Sequence, residues 1–140
     1  MEFDQSNKVV QLCAKGMDLE GKGQLSEAGD LFDEAWNTAT NDFEKFTAAH
    51  YVARHQKSVS DKLKWDETAL KHALKIKDEN VKGTLPSLYL NIAKCYEDLD
   101  DFDNAKKNYQ LAFFFTRFLA DNAYGNMIKS GIINGLNRIN

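Results

Sequence analysis

Two segments of this chain run through the same order of side chains. Gly16, Leu19, Leu25, Ala28, Phe32 and Ala35 are answered by Ala93, Tyr96, Phe102, Ala105, Tyr109 and Ala112, each pair 77 positions apart. In both, a small residue and a large apolar one precede a short polar turn, and a large apolar residue and an alanine follow it. An internal repeat of helix–turn–helix units constrains the fold more than any other feature, because one such unit leaves an apolar face bare and several must stack to cover it.

Apolar spacing predicts an all-α chain of seven helices, the first four over about 5–21, 24–40, 42–58 and 61–77, two more within about 84–119, the second of them starting after Asp100 and Asp101, and the last over about 122–138. No run alternates as a strand would. Gly21 and Gly23 end the first helix. Ser60 or Asp61 is expected to cap the fourth, Thr84 the fifth, Asp100 and Asp101 the sixth, and Asp121 or Asn122 the seventh. Residues 77–83 read as a loop, and Pro86 fits the first turn of the fifth helix. Two antiparallel helices approach closely only where side chains are small, so Gly16 should meet Ala28 and Ala93 should meet Ala105. Leu19, Leu25 and Phe32, like Tyr96, Phe102 and Tyr109, should fill the wedge towards the next hairpin. In the last helix Tyr124, Ile128, Gly131, Ile132, Gly135, Leu136 and Ile139 form one face, suited to covering the third hairpin, with Gly131 and Gly135 allowing a close backbone approach.

This spacing resembles the tetratricopeptide repeat, a helical hairpin of about 34 residues. The resemblance covers about residues 9–119. It is strong in the hairpins at about 5–40 and 84–119 and loose at about 42–77, where either Ala69 or Asp66 would take the crossing. The interval from Ala28 to Ala105 is two such periods and nine residues more, which are assigned to the connections at 40–43, 57–62 and 77–84. The resemblance implies one domain over 1–140, a right-handed superhelix of three hairpins with a capping helix, whose first helices line a concave groove. Candidate groove residues are Cys13 and Met17 on the first helix, His50, Tyr51 and Arg54 on the third, and Leu90, Asn91 and Lys94 on the fifth, with Val10, Glu20, Lys57 and Ser87 beside them. Arg54, Asn91 and Lys94 would be polar anchors for a carboxylate or for backbone carbonyls. The lysine and asparagine clamp by which some members of that family hold chaperone C-termini is missing, because Cys13, Met17, Ser87 and Asn91 stand in its places.

Signals for chemistry are poor. His50 and His55 lie about 140° apart around a helix, so they cannot ligate one metal from the same face, and His72 is isolated. There is no glycine-rich phosphate loop, and Gly21-Lys22-Gly23 is a hairpin turn. The run from Glu97 to Asp103 lacks the mid-loop glycine and final glutamate of a calcium loop. No cofactor or metal is expected, and an enzyme or small-molecule sensor using His50, His55 and Cys13 is the remotest reading. The net charge of −3 at pH 7, with lysines and arginines scattered among acids, argues against nucleic acid and anionic membrane as partners. No apolar run reaches the length of a membrane span, residues 1–6 lack the order of a secretion signal, and two cysteines suit reduced thiols, so a cytoplasmic location is expected. The expectation is a non-catalytic module that binds a protein or peptide partner. The alternative is a self-assembling unit. In Phe113-Phe114-Phe115-Thr116-Arg117-Phe118, Phe113 should enter the third hairpin, Phe115 and Phe118 should meet the last helix, and Phe114 would be left for a homodimer contact.

Overall fold

Five of the seven α-helices begin where a polar side chain accepts from their free amides. The computed structural model describes residues 4–140. Among them are seven α-helices, two 3-10 segments and no strand. The helices are α1 (Lys8–Gly21), α2 (Leu25–Thr38), α3 (Asp42–Arg54), α4 (Val59–Ala73), α5 (Leu85–Asp98), α6 (Phe102–Phe115) and α7 (Ala123–Ile139). Asn7 accepts from the amides of Val9 and Val10, Asn41 from Glu44, Asp101 from Asn104 and Asn122 from Gly125. Ser58, rather than Ser60 or Asp61, caps α4 by accepting from the Asp61 amide. Thr84 precedes α5 but its hydroxyl donates to the Val81 carbonyl instead of capping, and Pro86 stands in the first turn. The segment read as a loop holds a 3-10 helix, Glu79–Gly83.

Consecutive helices α1–α2, α3–α4 and α5–α6 pack as hairpins. The outer two turn identically. Gly23 and Asp100, 77 positions apart, both take a positive φ, of 79° and 61°. The amides that follow them, of Gln24 and Asp101, donate back to Leu19 and Tyr96, both at 2.9 Å. The middle hairpin turns without a left-handed residue, since α3 already ends at Arg54 and His55.

Helix starts reveal the register that the sequence left open. Asn7 and Asn41, and likewise Gln24 and Ser58, precede successive helices and stand one repeat period apart. All nine extra residues therefore fall between α4 and α5, around the 3-10 segment. On this register Lys62, and neither Ala69 nor Asp66, corresponds to Ala28 and Ala105. Asp66 takes the place of Phe32 and Tyr109, and His50 that of Gly16 and Ala93.

The core explains why those places matter. Phe32 and Tyr109 are fully buried, each among alanines. A β-carbon on Gly16 would run into the Phe32 ring, so the bare backbone there makes room for that ring. Ala93 and Ala105 share one buried cluster with Tyr109. Trp36 and Trp65 meet edge to face at 5.0 Å and join the core of α1–α3 to the larger one around Phe46, Leu85, Leu88 and Ile132. α7 closes that core, with Gly135 against the Tyr109 ring and Gly131 facing Leu90, whose Cδ2 would lie 3.2 Å from an added β-carbon.

Several expected core positions lie outside. Leu25 and Phe102 are 58% and 50% exposed, because the first residue of each second helix lies at the turn, where no following hairpin reaches. Phe113 is 54% exposed, since Ala112 takes the inward position on α6. The helix stops at Phe115, which stacks on Tyr89 at 5.7 Å. Thr116–Phe118 then forms the second 3-10 turn and leaves Phe118 exposed.

Gly135→Ala is expected to lower the thermal midpoint by the equivalent of about 1–3 kcal/mol, since the added methyl displaces a buried ring. Gly29→Ala, whose β-carbon would find only His55 Nδ1 at 3.9 Å, should raise stability by about 0.5–1 kcal/mol through helix propensity. Thermal unfolding followed by circular dichroism reads both signs, and a neutral Gly135→Ala would contradict this packing.

Candidate functional site

The first helices of the three hairpins bring side chains one turn apart into a shared surface. On α3, Thr47, His50, Tyr51 and Arg54 follow a three- and four-residue spacing that keeps them on one side. Thr47 and Tyr51 face Val10, Cys13, Ala14 and Met17 of α1 across a cleft of about 270 Å³. The same two residues, with Phe46 and His50, face Thr84, Ser87 and Leu88 of α5 across a second cleft of about 380 Å³. Thr47 and Tyr51 belong to both, so the two clefts make one surface along α1, α3 and α5. Tyr124, from the start of α7, lines its far end.

The cleft is apolar with hydroxyl accents and carries little free charge. The Thr47 hydroxyl donates to the Phe43 carbonyl, Thr84 to Val81 and Ser87 to Thr84, which leaves their oxygens turned into acceptors. Arg54 pairs with Glu20 at 3.1 Å and covers the Tyr51 ring at 5.5 Å. Glu20 also meets His55 Nε2 at 2.7 Å. Lys94 reaches Asp98 at 2.6 Å on the exposed side of α5. Neither expected cationic anchor is therefore without a carboxylate partner.

The remaining candidates divide. Met17 is exposed at the cleft wall, while Cys13 lies beneath it at 3% exposure. Leu90 turns towards Gly131 and is covered by α7, and Asn91 is half-buried beside it on α5. Phe114 lies elsewhere, on the outer side of α6. Thr47, Thr84 and Tyr124 were missed. Thr47 had a legible signal, since it stands one repeat period after Cys13 and one turn before Tyr51. Tyr124 had none, because its helical face reads as core.

Beneath the cleft, the central hairpin holds polar groups where its neighbours hold small and aromatic ones. Asp66 is 1% exposed and accepts from Lys62 Nζ at 2.6 Å, with Cys95 Sγ at 3.6 Å. Burial raises the Asp66 carboxyl above its usual range, against the opposing pull of Lys62. His50 Nδ1 is buried with no hydrogen-bond partner. Desolvation, helped by Arg54 and Lys62, pushes its imidazole down to about 4, so it is neutral at pH 7. Burial lifts the thiols of Cys13 to about 12 and of Cys95 to about 11, which leaves neither as a thiolate nucleophile. Among the described residues no three His, Cys, Asp or Glu side chains gather as a metal site, and no helix is long and apolar enough to cross a membrane. His55 and His72 instead face single carboxylates, His72 Nδ1 at 2.8 Å from Asp42.

The His50 environment fixes a pH signature. Between pH 6.5 and about 4 the unfolded chain takes up a proton that the folded imidazole refuses, so stability falls as pH drops through that window. Asp66 acts with the opposite sign, since its raised carboxyl favours the fold at the acid end. His50→Gln should flatten the fall of melting temperature across that window relative to the parent protein. Superimposable pH profiles would show that His50 is not held neutral by its surroundings.

In comparisons with known proteins, the chain matches no family model, no curated protein and no solved structure.

Proposed function

We propose that the chain is a non-catalytic interaction module of the tetratricopeptide type, a right-handed array of three hairpins and a capping helix that binds a segment of another protein along α1, α3 and α5. The observation that carries this reading is the pair of adjoining clefts that share Thr47 and Tyr51 and run from Met17 to Tyr124. Three further features support it. The starts of the first two hairpins are separated by the period of that family. Glu20 and Glu97, equivalent in the repeat, each hold an arginine from a later helix, Arg54 and Arg138, so α7 stands to the third hairpin as α3 stands to the first. The two cysteines are free, buried and on separate helices, which suits the reducing conditions of a cytoplasmic protein.

The chemistry of the cleft names the kind of segment. Carboxylate partners already engage Arg54 and Lys94, so a terminal carboxylate finds no spare cation there. Hydroxyl acceptors, two tyrosines, a neutral imidazole and a methionine favour an uncharged segment with apolar side chains that offers backbone amides. Affinity should come from the aromatic anchors Tyr51 and Tyr124.

Selection from a phage-displayed library of short random peptides tests this. Apolar, uncharged sequences should be enriched, and Tyr51→Ala with Tyr124→Ala should weaken the best of them at least about tenfold, or about 1.4 kcal/mol. Arg54→Gln should weaken them far less. Failure to enrich any sequence, or binding untouched by the tyrosine substitutions, would overturn the assignment of the cleft.

A further inference from the structure

A second surface lies on the opposite layer of the molecule and owes nothing to the cleft. The outer side of α6 carries Lys106, Lys107, Gln110, Phe113 and Phe114, all exposed. Phe113, Phe114 and Arg117 then line a hollow of about 470 Å³ with Gln110, Thr116 and Lys129, and no carboxylate borders it. The Arg117 guanidinium lies 4.2 Å from the centre of the Phe114 ring, with its Nε donating to the Phe114 carbonyl. The ring and the cation are thus held together as one feature. Two half-exposed phenylalanines beside Arg117 and Lys129 are an unusual surface on a chain of net charge −3.

The complement lies on the same chain. α2 contains no lysine or arginine. Its exposed side presents Glu27, Asp30, Asp33 and Glu34, all within about 120° around the helix axis. Among the described residues none of these four carboxylates is in an ion pair, and neither is Lys106, Lys107, Arg117 or Lys129. α2 and α6 are both second helices of their hairpins, on the layer away from the cleft, at opposite ends of the chain.

We infer that this surface docks a second copy of the chain, with α2 of each protomer lying against the α6 face of the other about a two-fold axis. Two identical contacts close the pair, as an isologous dimer requires. In each, Glu27, Asp30 and Glu34 of one protomer meet Lys106, Lys107 and Arg117 of the other, and Phe113 and Phe114 lie within the contact. Exposed ion pairs are individually weak and screened by salt. The dimer is accordingly a low-salt, micromolar one that leaves both clefts open to a ligand.

Sedimentation of the full chain at about 100 μM tests this. A dimer is expected at low salt, with its dissociation constant rising at least about tenfold in 0.5 M sodium chloride. Phe114→Ser should weaken it. Reversing α2 (Glu27→Lys, Asp30→Lys, Glu34→Lys) or α6 (Lys106→Glu, Lys107→Glu, Arg117→Glu) should give monomers, and mixing the two variants one to one should restore a dimer, because each then supplies what the other lacks. A parent chain that stays monomeric, a mixture that fails to pair, or binding to phosphatidylserine vesicles without self-association would each overturn the proposal.

Discussion

Phe32 and Tyr109 lie where a neighbouring helix has no side chain to hold them off, and the rest of the fold is arranged around that contact. A ring placed on bare backbone brings two helices nearer than leucine against leucine would allow. Gly16 provides the bare backbone in the first hairpin, and Ala93 with Gly135 flanks the ring in the third. The same ring then offers its other side to the next helix, and Phe32 stacks on Tyr51 at 5.1 Å. Tyr109 also gives its hydroxyl to Glu97 at 2.7 Å, and Arg138 binds the same carboxylate and so pins α7. One type of contact therefore sets the spacing within a hairpin and transmits it to the next element. The cleft on the α1, α3 and α5 surface follows from that regular spacing.

The central hairpin breaks the rule and shows what the rule is worth. His50, Lys62 and Asp66 stand where its neighbours have glycine or alanine, alanine, and an aromatic ring. An imidazole fills part of the volume that a ring from the facing helix would take. The buried carboxylate is tolerable because Lys62 reaches it from one turn away, keeping its own ammonium partly solvated. An ion pair of this kind seldom adds net stability over apolar packing. The middle unit instead packs Phe46 and Ala49 of α3 with Ala69 and Ala73 of α4, and the tryptophan pair ties it to the first hairpin.

Much of this was legible in the sequence because the outer hairpins share so many landmarks at a fixed offset. The two matching hairpins follow from Gly16, Ala28, Phe32 and their counterparts, helix number from apolar spacing, and the closing role of α7 from its face of Ile128, Gly131, Ile132 and Gly135. Landmarks, however, do not report burial. Leu25 and Phe102 match perfectly and both face solvent, since sequence equivalence says only that they share an environment. The central register was hidden because three positions changed chemical class together, which leaves no apolar pattern to align. Cleft residues were partly legible through helical phase, which found Met17, His50 and Tyr51. The partner of Arg54 could not be read that way, whereas Asp98 stands four residues after Lys94 on α5 and was open to it. The pair of Glu20 with Arg54 joins two helices that are not consecutive in the chain.

The contact between ring and bare backbone can be measured as a coupling energy. A double-mutant cycle of Gly16→Ala and Phe32→Leu, followed by denaturant unfolding, isolates it. In the parent protein Gly16→Ala should cost about 1–3 kcal/mol, because overpacking against the ring outweighs the helix propensity of alanine. With Phe32→Leu already present, the same substitution should be neutral or stabilising. Effects that add to within about 0.5 kcal/mol would mean that ring and glycine do not meet, and would remove the basis of the packing described.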